Sequence, residues 1–253
     1  MEACVTSSEE RYGRIRYDGA TTIGLHLLPD LLPLYERAGH GVSHVGERGT
    51  NRGLDAVRAG EVDVAGVMRE ISGSERAEPL RWALIGYDAL GVFVHAANPV
   101  RSLTRAQLKG IFTGTLRRWS AVGGSDAEIV LFTELRSGGR GTVVEFRRLA
   151  LDGADYGAGR ELEDAPDCLR EVAADPVGIT VASMSMAVDG VRAVAIDGVE
   201  PTAAQVRAGV YALGRPMYLV ARAPASPEAA ALLDLALSAA GQAIVARKFT
   251  PAS

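Results

Sequence analysis

The run Arg136-Ser137-Gly138-Gly139-Arg140-Gly141-Thr142 joins a strand-like segment at 129–132 to a helix-like segment at 142–151. Its glycines, at 138, 139 and 141, let the backbone turn tightly, so that successive N–H groups can aim at one small acceptor. The helix that follows adds the positive end of its dipole. The chemistry on offer is anion binding: the Arg136 and Arg140 guanidinium forks match the oxygen pairs of a carboxylate or phosphate, and Thr142 adds a hydroxyl. A strand-to-helix turn with two solvated arginines is the plainer reading of the same letters.

Two earlier segments repeat the pattern of small or hydroxyl residues before a helix. Gly19-Ala20-Thr21-Thr22-Ile23-Gly24 opens a run in which Ile23, Leu27, Leu31 and Tyr35 recur at helical spacing, with Pro29 and Pro33 expected to bend or delay the helix. After a strand expected at 41–45, Gly49-Thr50-Asn51-Arg52-Gly53 leads into a helix expected at 54–59. The strand expected at 62–67 is followed by Arg69 and Glu70, at the end of a strand where α/β proteins hold ligands. His40 and His44 read as surface or packing residues, and no metal site, cofactor or catalytic residue is expected.

Apolar stretches at 84–94 and 211–220 are expected to carry the chain between two lobes, 1–89 with 210–253 forming one and 90–209 the other. Thr104 and Gln107 form a capping box ahead of a short helix. Residues 152–167 read as a polar surface loop, 177–181 and 191–196 as strands, and Ser183-Met184-Ser185-Met186 as a flexible patch between them. A last long helix is capped by Ser226, has Pro227 in its first turn, buries Leu232, Leu233 and Leu237, and extends to Gly241. Alternating strands and helices indicate a layered α/β fold.

The 253 residues suffice for two lobes with separate cores, and 47% hydrophobic with 23% charged residues is the composition of a globular protein. A net charge of −4 argues against a nucleic-acid surface, which needs a basic stripe. Residues 1–14 lack the apolar core of a signal peptide, and no apolar run reaches the ~20 residues that cross a bilayer. Cys4 and Cys168 are the only cysteines; their pairing is open, and Cys4 is a candidate lipid-attachment position as well as a residue near a chain start.

From Gly19 to Pro251 the chain resembles the phosphate-binding subunits of bacterial ABC transporters, in the type II periplasmic binding protein superfamily. The likeness rests on residues 19–24, 62–65, 85–88, Asn98-Pro99, 108–114 with Trp119, 136–142 with Phe146, 195–199 with Pro201-Thr202, Tyr211 with 215–219, and Ser238 with Gly241-Gln242. It implies an α/β fold of two lobes, each a mixed sheet flanked by helices, joined by a two-strand hinge. It also implies a non-catalytic protein that captures inorganic phosphate or a similar oxyanion in a cleft between the lobes for uptake.

Carried over by position, Thr21, Thr22, Thr50, Arg136, Gly141 and Thr142 would bind the anion; Arg140 and Arg69 are ligand-binding candidates beside them, and together with Arg48 and Arg52 they would make the mouth cationic. Thr50 stands where the family has serine. Two departures bear on the ligand: Arg140 replaces a serine, and Met68 stands where the family often has a carboxylate that accepts the phosphate proton. Glu70 or Glu47 could substitute, and sulfate or a phosphate ester becomes an alternative ligand. The resemblance further implies a monomer working with a transporter permease, in the periplasm or outside the cell. A sensory or interaction module of the same fold, binding another anion or a protein partner, is the alternative function.

Overall fold

The computed structural model describes residues 13–137 and 140–252. Cys4 and the pair Gly138-Gly139 lie outside the described residues. The chain divides into two compact α/β units, one comprising residues up to Ile85 with Met217–Arg247, the other Gly86–Pro216 with Lys248–Ala252.

The first unit begins with β1 (Arg14–Gly19) and α1 (Thr21–His26). The single bent helix expected here is two helices, α1 and α2 (Leu28–Arg37), separated at Leu27. Pro29 decides the break: it falls in the first turn of α2, where its missing N–H costs no intrahelical bond. Ile23, Leu27, Leu31 and Tyr35 are all buried nonetheless, so the apolar spacing holds across the break.

Next come β2 (Gly41–Val45), with the bounds expected, and α3 (Thr50–Ala59), which starts four residues earlier than expected. Gly53 reads as loop in the letters but is helical. It is small because β1 crosses there: a Cβ on Gly53 would sit 2.5 Å from the Gly19 Cα. Strand β3 (Val64–Val67) is wholly buried, and a short α4 (Gly73–Arg76) follows, its Ser72–Glu75 capping box unforeseen. β1 runs parallel to both β2 and β3.

Strand β4 (Leu80–His95) passes from the first unit into the second. There β5 (Ser102–Leu103) leads to α5 (Arg105–Phe112), capped by the expected Thr104–Gln107 box. Trp119 is fully buried and its indole N–H donates to the Val177 carbonyl at 2.9 Å. Then follow β6 (Val130–Glu134), α6 (Gly141–Ala150), β7 (Arg160–Leu162) and α7 (Ala165–Ala174).

The stretch expected to be a surface loop, 152–167, therefore holds a strand and the start of a helix. Asp164, which looked solvated, accepts from the Asp167 N–H at 2.9 Å and caps α7. Strand β8 (Gly178–Ser183) lies parallel to β6 and antiparallel to β4, and β6 pairs in parallel with β7. The patch expected to be flexible, 183–186, is a 3-10 turn held by the Ser183 hydroxyl. Strands β9 (Val191–Ala193) and β10 (Ala195–Ile196) split the expected 191–196, and α8 (Ala203–Arg207) precedes β11 (Gly214–Arg222).

β11 carries the chain back and runs antiparallel to β3. Its return to the first unit ends in α9 (Pro227–Leu237) and α10 (Ala239–Val245). The Ser226 cap and Pro227 are as expected, but the helix stops at Leu237, which is 43% exposed and not part of the buried stripe. Ser238 ends it by turning to extended geometry and capping α10 with its own hydroxyl. Finally β12 (Thr250–Pro251) pairs with β4 at Tyr87 and Gly86, which places the chain's last described segment with the second unit. The unit boundaries thus fall at 85/86 and 216/217, where the sequence suggested 89/90 and 209/210. No single helix among the described residues is long and apolar enough to cross a membrane.

Inside the second unit one ion pair is fully enclosed. Arg215 on β11 donates from Nε and Nη2 to Asp88 Oδ2 on β4 at 3.0 and 2.7 Å, and Ser183 on β8 donates to Asp88 Oδ1 at 2.7 Å. Both charged side chains are 2% exposed. Removing one partner leaves a buried charge unmatched, which costs about 3–5 kcal/mol. Asp88→Ala is therefore expected to lower the urea midpoint by an equivalent amount at unchanged m-value, and an unchanged midpoint would show the pair to be dispensable.

Candidate functional site

In the first unit, two helix starts are tied to the ends of two parallel strands. β1 ends at Gly19, whose backbone lies so close to β3 that a Cβ would be 2.4 Å from the Gly66 N and O. Ala20 N–H donates to Gly66 O at 2.9 Å, and Gly49 N–H donates to Gly19 O at 2.9 Å. The first bond fixes the start of α1, the second that of α3. Asp18 is completely buried; its carboxylate accepts from the Gly19 N–H at 2.8 Å, the Arg48 N–H at 3.0 Å, and the Arg48 guanidinium.

Thr21 and Thr22 are the first residues of α1, as expected, and Thr50 is the first of α3. The Thr21 hydroxyl donates to the Glu47 carbonyl at 3.2 Å, while Thr22 is buried. The Thr50 hydroxyl accepts from the Met68 N–H at 3.2 Å, so its own proton is free to point elsewhere. Met68, the residue after β3, is buried and apolar where an acceptor was sought.

Arg69 comes to the same end of the unit, with its charge already matched. Its Nη1 and Nη2 donate to Glu75 at 2.8 and 2.7 Å, and Nε and Nη2 donate to Asn51 Oδ1 at 3.2 and 3.1 Å. It thereby ties α3 to the segment after β3. Hydrogen bonding from Arg69 holds the Glu75 pKa down at about 2 against the effect of burial.

In the second unit, β6 ends at Glu134 and α6 begins after Arg140, whose side chain makes no cap. Gly141 and Thr142 open the helix, with open space around the Gly141 Cα and with Thr142 buried. Phe146 anchors α6 against Phe112 at a 4.5 Å ring separation, and Tyr156 secures it by donating to the Val143 carbonyl at 3.1 Å.

Arg136 lies with its guanidinium 5.4 Å from the Tyr156 ring centroid. Its backbone N–H donates to Glu161 Oε2 at 3.0 Å. Its Nε donates to Thr133 Oγ1 at 3.3 Å and its Nη1 to the Tyr156 carbonyl at 3.4 Å, and Glu161 Oε1 is 3.5 Å from Nε. These contacts are long, and Nη2 is buried with no hydrogen-bond partner among the described residues. Arg140, by contrast, is paired with Glu163 at 2.8 Å.

Two carboxylates at the strand ends were not foreseen. Asp18, next to last in β1, and Glu134, last in β6, are buried beside the helix starts; an acid closing a strand ahead of a glycine-rich turn is the signal in the letters. Of the substitutes considered for the missing acceptor, Glu70 is exposed, and burial raises the pKa of Glu47. His40 stacks on Tyr35 at 4.5 Å, a packing role. Among the described residues no group of three or more His, Cys, Asp or Glu could hold a metal.

A family model described as a PBP superfamily domain matches residues 5–240. The chain belongs to that superfamily. The phosphate-binding protein PstS of Bacillus subtilis (strain 168) is 32% identical over 169 residues, 64% of this chain, and the match spans only 55% of that relative's length. A solved structure from Clostridium perfringens, described as a phosphate ABC transporter substrate-binding protein with bound phosphate, superposes with a TM-score of 0.79 at 25% identity, covering 94% of this chain and 99% of its own. An ABC-type phosphate transport receptor from Vibrio cholerae gives a TM-score of 0.81 at 22% identity, covering 93% and 98%. The fold class of this superfamily member is thus the α/β, two-lobed periplasmic binding protein type II fold expected from the resemblance.

The Arg69–Glu75 pair yields a pH signature for the framework. The Glu75 pKa is depressed in the fold, so its contribution is present above its unfolded value of about 4.5 and is lost as pH falls toward about 2. Glu75→Gln is expected to lose roughly 1–3 kcal/mol at pH 7. The gap from the parent, measured by urea unfolding at a series of pH values, should narrow steadily below pH 4.5. A gap independent of pH would contradict the assignment.

Proposed function

We propose that this chain is a non-catalytic solute-binding protein that captures an inorganic oxyanion, phosphate foremost, for ABC-type uptake. The observation that carries the reading is the Arg136 guanidinium, in the segment between β6 and α6: Nη2 is buried and has no hydrogen-bond partner among the described residues. An enclosed N–H left unpaired costs about 1–3 kcal/mol, and an oxyanion oxygen would relieve it while gaining a charge-assisted bond. Gly141 and Thr142 supply the N–H groups of a helix start to the same ligand. In the first unit, the starts of α1 and α3 offer donors of the same kind through Thr21, Thr22 and Thr50.

Arg140 and Arg69 take different parts from those of direct ligands. Arg140 is charge-matched by Glu163, and Arg69, held by Glu75 and Asn51, positions the start of α3. What supports phosphate over other anions is the similarity to relatives described as phosphate-binding. The reading further includes a transporter permease as partner, a working place in the periplasm or outside the cell, a monomeric state, and Cys4 as a lipid-attachment position.

Calorimetric titration of the ligand-stripped protein with phosphate and with sulfate at low salt tests the reading. Phosphate is expected to release heat at a stoichiometry of one, with sulfate weaker. Arg136→Ala is expected to weaken phosphate by about tenfold to a hundredfold, the loss of a charge-assisted hydrogen bond of about 1.5–3 kcal/mol. Tighter binding of sulfate or a phosphate ester would move the ligand within the same class, and no heat with any of them would overturn the function.

A further inference from the structure

Tyr156 lies in the segment between α6 and β7 and touches both parts of the second unit's donor set. Its ring carries the Arg136 guanidinium 5.4 Å from the centroid, and its carbonyl accepts from Arg136 Nη1 at 3.4 Å. Its hydroxyl donates to the Val143 carbonyl at 3.1 Å, in the first turn of α6. Burial raises the phenol pKa, so the hydroxyl keeps its proton and stays a donor at neutral pH.

The segment that carries Tyr156 is itself fixed. The Gly157 N–H donates to the Phe112 carbonyl at the end of α5 at 2.8 Å. A Cβ on Gly157 would sit 2.6 Å from the Thr113 carbonyl carbon, so only glycine lets the chain pass there. On the other side of Tyr156, Arg147 donates from Nε to the Gly153 and Ala154 carbonyls at 2.8 and 3.2 Å. The tyrosine ring packs against Phe112 and Phe146 at centroid separations of 6.2 and 6.3 Å. Both phenylalanines are fully buried, which ties the ring to the core of the unit.

Arg136 has two other side-chain contacts, Thr133 on β6 at 3.3 Å and Glu161 on β7 at 3.5 Å. These hold the arginine to the strands, and the Glu161 carboxylate is 39% exposed, so water screens its pull. Among the described residues, Tyr156 is the contact of Arg136 that also bonds to α6. We propose that Tyr156 is a positioning residue of the oxyanion site: it locks the Arg136 guanidinium to the start of α6, so that Nη2 and the helix N–H groups meet one anion together. A guanidinium already held against an aromatic ring and a carbonyl gives up little rotamer freedom when the anion arrives, and the saved ordering cost appears as affinity. The inference rests on the function proposed above and adds to it a residue that acts through Arg136 without touching the ligand.

The test is a double-mutant cycle read by calorimetric titration of inorganic phosphate into the full chain. Tyr156→Leu is expected to weaken phosphate by roughly threefold to thirtyfold while Arg136 is present. In the Arg136→Ala background the same change is expected to cost less than about twofold, because the group it positions is gone. Equal costs in the two backgrounds, or an unchanged affinity with Arg136 present, would overturn the inference while leaving the binding function intact. Absence of phosphate binding by the parent would overturn both. Should Tyr156→Leu not fold, the Arg136 Nε–Hε proton resonance of the phosphate-bound parent decides, assigned by its loss in Arg136→Lys. A resonance shifted upfield by the ring supports the positioning role, and one at the position of solvent-exposed arginines overturns it.

Discussion

A charge removed from water must be met by another charge or by well-placed dipoles, and this constraint separates framework from site in both units. Asp18 is met by Arg48 and two backbone N–H groups, Arg69 by Glu75, and Asp88 by Arg215 and Ser183. These arrangements are complete without a ligand, and each joins elements distant in the chain. What they fix is the position of strand ends and of the helix starts beside them.

At the start of α6 the matching is incomplete in both signs. Among the described residues, Arg136 Nη2 has no hydrogen-bond partner, and the buried Glu134 forms no ion pair within 4 Å. The two do not cancel by pairing with each other; Arg136 leans on Tyr156 and Glu161. A region left with an unspent donor is suited to a ligand that brings acceptors. The starts of α1 and α3 are different, since Asp18 and Arg48 already neutralise each other and the surplus there is of backbone and hydroxyl donors only.

The local signals in the sequence translated well where a single element determines the outcome. The Thr104–Gln107 box, the Ser226 cap, the strand at 41–45 and the spacing of Ile23, Leu27, Leu31 and Tyr35 depend on residues within a few positions of one another. Errors arose where another element decides. Gly53 is helical because β1 needs the room, Leu237 is exposed because Ser238 ends the helix to begin the next, and residues 160–167 order because β6 offers an edge and Asp164 a cap. The placement of Thr21, Thr50 and Thr142 at helix starts was legible from their loops. The engagement of Arg69 with Glu75 and of Arg140 with Glu163 was not, because both pairings depend on how the chain returns on itself.

Met68 and Glu134 belong together in that light. Met68, the residue after β3, is an apolar side chain packed in the interior. A strand end in the other unit carries a buried carboxylate that has no cation of its own. A polar group kept in such a place without a partner is costly unless a second state satisfies it.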